Sequence, residues 1–305
     1  MLTKANTPLP SAHYLMRNNR KPLFFLLPYL IIGLIFFAYP LYKAVFLAFE
    51  QTHGVHTKTS VGLANFSTIL TDAVFYRALI NTTLFTFFSI LIQIPLAFLL
   101  SISLQYSQLP LMRFARLCIF SPYLAGQVFT GIMFTLIFAP GIGLANQLMN
   151  IFAQWDLATN WLHNPKLVMP AILIASCWMN IGLCTIYFLA ALQNVPRALQ
   201  EAARIDGART WQTYRHVIWP SVKPVGIYVL ILTTTNAFQL FELPFILLQG
   251  TGPNHTGLTL VGYLYNHSFL NGNLGAGAAV GWILTIIIFV FSLAQIKITT
   301  GRHTL

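Results

Sequence analysis

The sequence predicts an all-α integral membrane protein with six transmembrane helices and a helix-turn-helix segment on the cytoplasmic side. Three observations predict it. Of the 305 residues 56% are hydrophobic and only 8% are charged, whereas a soluble domain carries roughly a quarter of its residues as charged side chains. Apolar surface in such excess must face lipid. Six apolar stretches, at about 23–45, 80–104, 115–138, 167–192, 225–248 and 274–296, are each long enough to cross about 30 Å of hydrocarbon. Lysine and arginine are also divided unevenly among the connecting segments.

The first stretch follows a polar, basic run ending Arg17-Asn18-Asn19-Arg20-Lys21. It is too long for a signal-peptide core and no small-residue cleavage site follows it, so it reads as an uncleaved first helix. With the amino terminus placed inside, the outside segments hold Lys43, Lys58, Arg77 and Lys166, which leaves 13 of the 17 basic residues inside. The positive-inside rule then puts both termini in the cytoplasm and the chain in the cytoplasmic membrane as a multi-pass protein. The outside loops carry turn chemistry: Gly62 in the first, Pro140, Gly141 and Gly143 in the second, Gly250, Gly252, Pro253 and Gly257 in the third. No internal repeat appears, and residues 1–305 read as a single domain.

The net charge of +11 does not indicate a nucleic-acid partner, because the basic residues sit in short loops between apolar runs. Cys118, Cys177 and Cys184 lie inside apolar segments without a C-x-x-C pair and read as small buried hydrophobes. The histidines show no metal-ligand spacing, and His53 and His56 share an outside loop that reads as solvated.

The one long inside segment is 195–224. Pro196 suits a first helical turn, and Arg197, Glu201 and Arg204 stand at spacings that allow charge pairs along an exposed face. Asp206-Gly207 forms a stop and turn, since Gly207 is free to adopt a left-handed conformation. Thr210 is placed to cap a second short helix that ends before Pro220. Ala202 and Ala203 thin one side of the first helix and allow another protein close approach. An interfacial helix anchored among lipid head groups is the alternative reading.

The segment resembles the EAA motif of permease subunits in binding-protein-dependent ATP-binding-cassette importers. The matching residues are Glu201-Ala202-Ala203, Asp206-Gly207-Ala208 and Ile218-x-Pro220, with Pro224 beyond. Trp219 replaces the usual Leu, and Tyr214 the common Phe. Further fragments are similar to the sugar-type branch of that family: Gly62-Leu63-x-Asn65-Phe66 with Asn81-Thr82, then Arg116 with Pro122, Gly143-Leu144-x-Asn146, and Gly252-Pro253-Asn254. The resemblance implies a coupling helix docked on an ATPase, and a solute that is a sugar, an oligosaccharide or a glycerol phosphate. It also implies a second permease subunit, two ATP-binding subunits that hold ATP and Mg, and an extracytoplasmic solute-binding protein. This chain itself binds no cofactor on that reading and is not an enzyme.

The fifth stretch carries Asn236, Gln239 and Glu242 among Phe238, Phe241 and Phe245. On a continuous helix the three polar residues drift by about 60° per step and share a broad face. Amide, carboxylate and aromatic groups together suit a sugar, so Asn236, Gln239, Phe241 and Glu242 are candidate solute contacts; bonds to neighbouring helices are the alternative. The row Ser176, Asn180 and Cys184 reads as a helix-packing seam, and Gln93 as interhelical glue. No G-x-x-x-x-G-K-[ST] occurs, so energy must come from a partner. A self-contained secondary carrier or a membrane enzyme would need a buried acidic relay or catalytic groups, and five of the six carboxylates lie in loops or at span ends.

Overall fold

The computed structural model describes residues 20–53, 57–105, 110–154 and 156–300. Arg17, Asn18 and Asn19 of the basic run, and His56, lie outside the described residues. Among the described residues six helices are long and apolar enough to cross a membrane. An even number of crossings brings Thr300 back to the side from which Arg20 starts, here the proximal face.

The first span consists of α1 (Arg20–Gly33) and α2 (Tyr39–Leu47), joined by a wide π turn over Leu34–Ala38. Pro40 explains the turn: it has no N–H, and its ring would strike the carbonyl four residues back. An extra residue in the preceding turn removes that conflict. A two-stranded hairpin follows, β1 (Glu50–His53) antiparallel to β2 (Thr57–Ser60), with Glu50 opposite Ser60. Nothing in the sequence pattern predicts it. It is held from outside, because Thr52 Oγ1 accepts a bond from Leu274 N (2.7 Å) and Asn65 Nδ2 donates to the Ala48 and Glu50 carbonyls (2.9 Å each).

Helix α3 (Ala64–Thr71) leads into α4 (Ala73–Gln105), which begins well before the 80 expected from hydropathy. The start is set by Asp72, whose Oδ1 accepts from Val74 N (2.8 Å). Helix α5 (Pro110–Ile137) is the third span, α6 (Leu144–Ala153) caps the distal face, and α7 (Val168–Gln193) is the fourth span. Helices α8 (Arg197–Ile205) and α9 (Thr210–Thr213) lie on the proximal face. A π turn at Tyr214–Ile218 passes into α10 (Trp219–Phe238), which is followed by the short α11 (Glu242–Leu248). On the distal side α12 (Leu260–Tyr265) precedes the last span, α13 (Leu274–Thr300).

Helix α7 is central, packed against α4 and α5. Its contact with α5 depends on Gly182: a Cβ there would overlap the Ile119 carbonyl. Apolar clusters run the length of the bundle, from Phe134, Phe138, Trp161 and Leu243 at the distal end to Leu192, Ile218 and Val222 at the proximal end. Cys118, expected to be buried, is exposed on α5, whose outer side is unpartnered; Cys184 is buried.

The distal cap is built on saturated amides. Asn146 is fully buried; its Nδ2 donates to the Leu157 and Thr159 carbonyls (3.1 and 2.8 Å), and its Oδ1 accepts from Trp161 Nε1 (2.7 Å). Asn81 Nδ2 donates to the His255 and Leu258 carbonyls, and Thr82 Oγ1 accepts from Leu260 N, which ties the last distal segment to α4. Tyr263 donates its hydroxyl to Asp72 Oδ2 (2.6 Å). Burial and then that carboxylate push the Tyr263 phenol well above its ordinary range. Burial holds the neighbouring His267 imidazole below its usual value, with Asp72 opposing.

Two outcomes are expected. Gly182→Ala should lower stability by about 1–3 kcal/mol, because the α5–α7 contact must open to admit a methyl group; thermal unfolding in detergent measures it, and an unchanged melting temperature would refute the close contact. His267 charges more readily in the opened chain than in the packed one, so its contribution is intact above about pH 6.5 and is lost as pH falls below that. His267→Gln should therefore shrink the drop in melting temperature on acidification. An unaltered drop would place the acid sensitivity elsewhere.

Candidate functional site

A cavity of about 450 Å³ lies among the second to fifth spans. Helix α4 contributes Phe85, Ser89 and Gln93, α5 Tyr123, Gly126 and Gln127, and α7 Ser176, Asn180 and Cys184. Thr233 and Asn236 of α10 complete the wall, with Gln239 just beyond it and Glu242 opening α11.

Two interruptions of helix shape this space. In α5 the backbone breaks at Gly126 (φ 75°, ψ 169°), a conformation only glycine adopts without strain. Between α10 and α11 the break is dictated by Pro244, which excludes a helical carbonyl at Leu240 four residues back; Phe241 there has φ −144° and ψ −57°. The expectation of one continuous helix over 225–248 is thus corrected. Asn236, Gln239 and Glu242 do not share a helical face, since one lies in α10, one past its end and one in α11, yet all three line the cavity.

Phe241 is a second correction. Its ring turns away from the cavity and packs on Phe245 and Tyr265, at 5.1 and 5.0 Å between centroids, while Phe238 is buried against Phe291. Phe85 and Tyr123 supply the aromatic lining instead. Gln93, Ser176, Asn180 and Cys184, read from the sequence as packing groups, also face the cavity. Gln127 was missed altogether; its signal was the adjacent Gly126 inside an apolar run. Asn180 Nδ2 bonds to the Ser176 carbonyl (3.0 Å) one turn back. Ser89 Oγ and Gln127 Oε1 are buried and have no hydrogen-bond partner among the described residues.

The proximal segment is built on a glycine turn. The Ala208 N–H donates to the Ala203 carbonyl (2.9 Å) and the Gly207 N–H to the Arg204 carbonyl (3.1 Å), with Gly207 at φ 79°. These two bonds close a helix end around a left-handed residue. Arg209, not Thr210, takes the cap position of the next helix, and Gln212 Oε1 accepts its backbone N–H (2.7 Å). That helix does not stop before Pro220. The π turn at Tyr214–Ile218 accommodates the proline, and helical backbone continues from Thr210 to Phe238.

Glu201, Ala202, Asp206, Gly207 and Pro220 are exposed, and Ala203 and Ala208 are half-buried. Ile218 is only 1% exposed and packs with Leu192 and Val222, so it roots the segment in the bundle. The sequence reading overlooked Ile205 and Trp211, which are 86% and 71% exposed on the same segment. Arg197, Gln200, Glu201 and Arg204 line a polar cleft with Gln105 at the foot of α4.

Comparison with known proteins agrees with this architecture. Residues 93–296 match the family described as binding-protein-dependent transport system inner membrane component. The chain is 36% identical to the arabinooligosaccharides transport system permease protein of Bacillus subtilis over 279 residues, covering 91% of this chain and 88% of that protein. It is 30% identical to the lactose transport system permease protein of Rhizobium radiobacter over 89% of this chain and 91% of the relative. The sn-glycerol-3-phosphate transport system permease protein of Brucella abortus is 29% identical over 93% and 96%. A chain of a bacterial ABC transporter involved in the import of the acidic polysaccharide alginate has the same fold, with a TM-score of 0.81 at 21% identity over 93% of this chain and 96% of that one. On the match across residues 93–296 and the identity to full-length relatives, the chain belongs to the inner membrane components of binding-protein-dependent transport systems.

Proposed function

We propose that this chain is a channel-forming permease subunit which moves a sugar, oligosaccharide or glycerol-phosphate-like solute across the cytoplasmic membrane by alternating access. The observation that carries the reading is the unbroken helical backbone from Thr210 to Phe238. One end of this rod meets the exposed glycine-turned segment, and the other ends at Asn236 in the cavity wall. At 1.5 Å per residue its length is about 44 Å, enough to carry motion through the membrane.

The proximal face is cytoplasmic on this reading, supported by the 13 of 17 basic residues that the inside segments hold. Residues 1–305 act as one transmembrane unit beside a second permease subunit. Two ATP-binding subunits below hold ATP and Mg and carry out hydrolysis, and an extracytoplasmic binding protein delivers the solute. In the docked segment Glu201, Ala202 and Ala203 present a low profile to the ATPase, and Ile205 and Trp211 are the apolar anchors. Asp206, Gly207 and Ala208 fix the bend. Ile218 and Pro220 transmit movement into α10, since Ile218 is embedded in the core. Asn236, Gln239 and Glu242 contact the solute, joined by Gln127 and Asn180 across the cavity.

Purification supplies the test. The chain should co-purify with an ATPase, and solute uptake in proteoliposomes should stop when hydrolysis stops; uptake by the chain alone on an ion gradient would sink the reading. Two variants probe the segment. Beyond its chain neighbours no atom lies within 4 Å of a Cβ built at Gly207, and Gly207→Val is strained because φ is 79°. It should cut uptake by about tenfold or more while membrane insertion and ATP hydrolysis persist. Ile205→Asp should weaken ATPase association by at least about thirtyfold, the size of an interface hot spot. Normal uptake in the first variant, or normal association in the second, would exclude the assigned role.

A further inference from the structure

The charge and hydrogen-bond character of the cavity bear on which solutes it admits. Among the described residues that line it, Glu242 is the one acidic side chain, and none is Lys, Arg or His. The remaining polar groups are amides and hydroxyls: Gln93, Gln127, Asn180, Asn236 and Gln239, with Ser89, Ser176, Thr233 and Tyr123. An anion that leaves water for this space finds no cation to replace its hydration, and it meets a carboxylate of like charge.

The Glu242 side chain points the same way: it is exposed and lines the cavity, and its carboxylate oxygens accept hydrogen bonds. Its partner must therefore donate. The hydroxyls of a polyol donate and accept at every position, whereas the oxygens of an ionised phosphate or carboxylate only accept. Phe85 and Tyr123 add ring faces on which the C–H side of a sugar can rest.

We infer that this chain's share of the pathway selects an uncharged, polyhydroxylated solute and disfavours phosphorylated or carboxylated ones, with Glu242 as the residue that enforces the choice. The inference rests on the permease reading above and narrows its solute class. It sets this chain apart from those relatives whose names specify sn-glycerol 3-phosphate and from the alginate importer of the same fold.

The test uses the membrane complex of this chain with its partner permease and ATP-binding subunits, held in nanodiscs without the binding protein, so that the membrane part alone selects. Ligand-detected saturation-transfer NMR compares methyl galactoside with methyl galactosiduronate, and methyl glucoside with methyl glucosiduronate, pairs that keep the ring and exchange one CH2OH group for a carboxylate. Binding of sn-glycerol 3-phosphate is measured alongside. The neutral member of a pair should bind at least about tenfold more tightly than the anion. Glu242→Gln should narrow that gap, and Gln239→Lys, which places a cation in the same wall, should narrow or invert it. The wild-type ratio stands on its own if either variant fails to assemble.

Equal binding within the pairs, or a preference for the anions, would overturn the inference and leave the importer reading intact, because ATP-driven uptake of the bound solute would still be observed. Discrimination unchanged in both variants would remove it from this chain. If no sugar and no anion binds, and none is imported with ATP, the solute class under Proposed function falls and this inference falls with it.

Discussion

Within hydrocarbon every backbone amide must find its partner inside the protein, and non-helical backbone is tolerated only where it is buried or lines a wet cavity. That constraint organises this chain. Its interruptions of helix at membrane depth, at Gly126 in α5 and between Phe238 and Glu242, both border the same cavity. The breaks free backbone groups that need polar company, and the cavity supplies it. The amide side chains gathered there follow from the same requirement. An apolar lining would leave the interrupted backbone unsatisfied, whereas Gln127 beside one break and Gln239 at the other keep the space polar.

The two candidate regions lie at opposite ends of one element. A rotation of the exposed segment about its glycine turn cannot dissipate in a flexible linker, because Ile218 is locked between Leu192 and Val222 and the helix runs on to the cavity wall. Cores packed this closely do not deform smoothly but switch between arrangements. On the proposed alternating-access reading, movement at Gly207 and a change at Asn236 are parts of one displacement. The distal loops are tied down separately: Asn146 binds its own loop together, and Asn81 and Thr82 fasten the last distal segment to α4.

Much of this was legible in the residues. Continuous apolar runs marked the six spans, and the Glu201-Ala202-Ala203 to Gly207 pattern marked the proximal turn, because both signals are local. Gly207 was readable since only a left-handed residue suits that position. The cavity was harder to see. Polar side chains in a span give no azimuth until the neighbours are known, so Gln93, Ser176 and Asn180 looked like packing groups. The face shared by Asn236, Gln239 and Glu242 was inferred for an ideal helix, and Pro244 was the overlooked warning that the helix is interrupted before it, at Phe238. The hairpin at Glu50–Ser60 gave no signal, because its strands are short and polar and are held by Thr52 and Asn65 rather than by their own pattern.

The π turn at Tyr214–Ile218 has a consequence for chain length. Holding one more residue than an α-helical turn, it offsets everything before it by about 100° around the axis relative to everything after it. The azimuth at which Gly207 and Ile205 emerge is thus encoded by a residue count upstream of Pro220. Deleting a single residue there would keep Ile205, Gly207 and every cavity side chain, yet aim the first two about a quarter-turn away from where they now point.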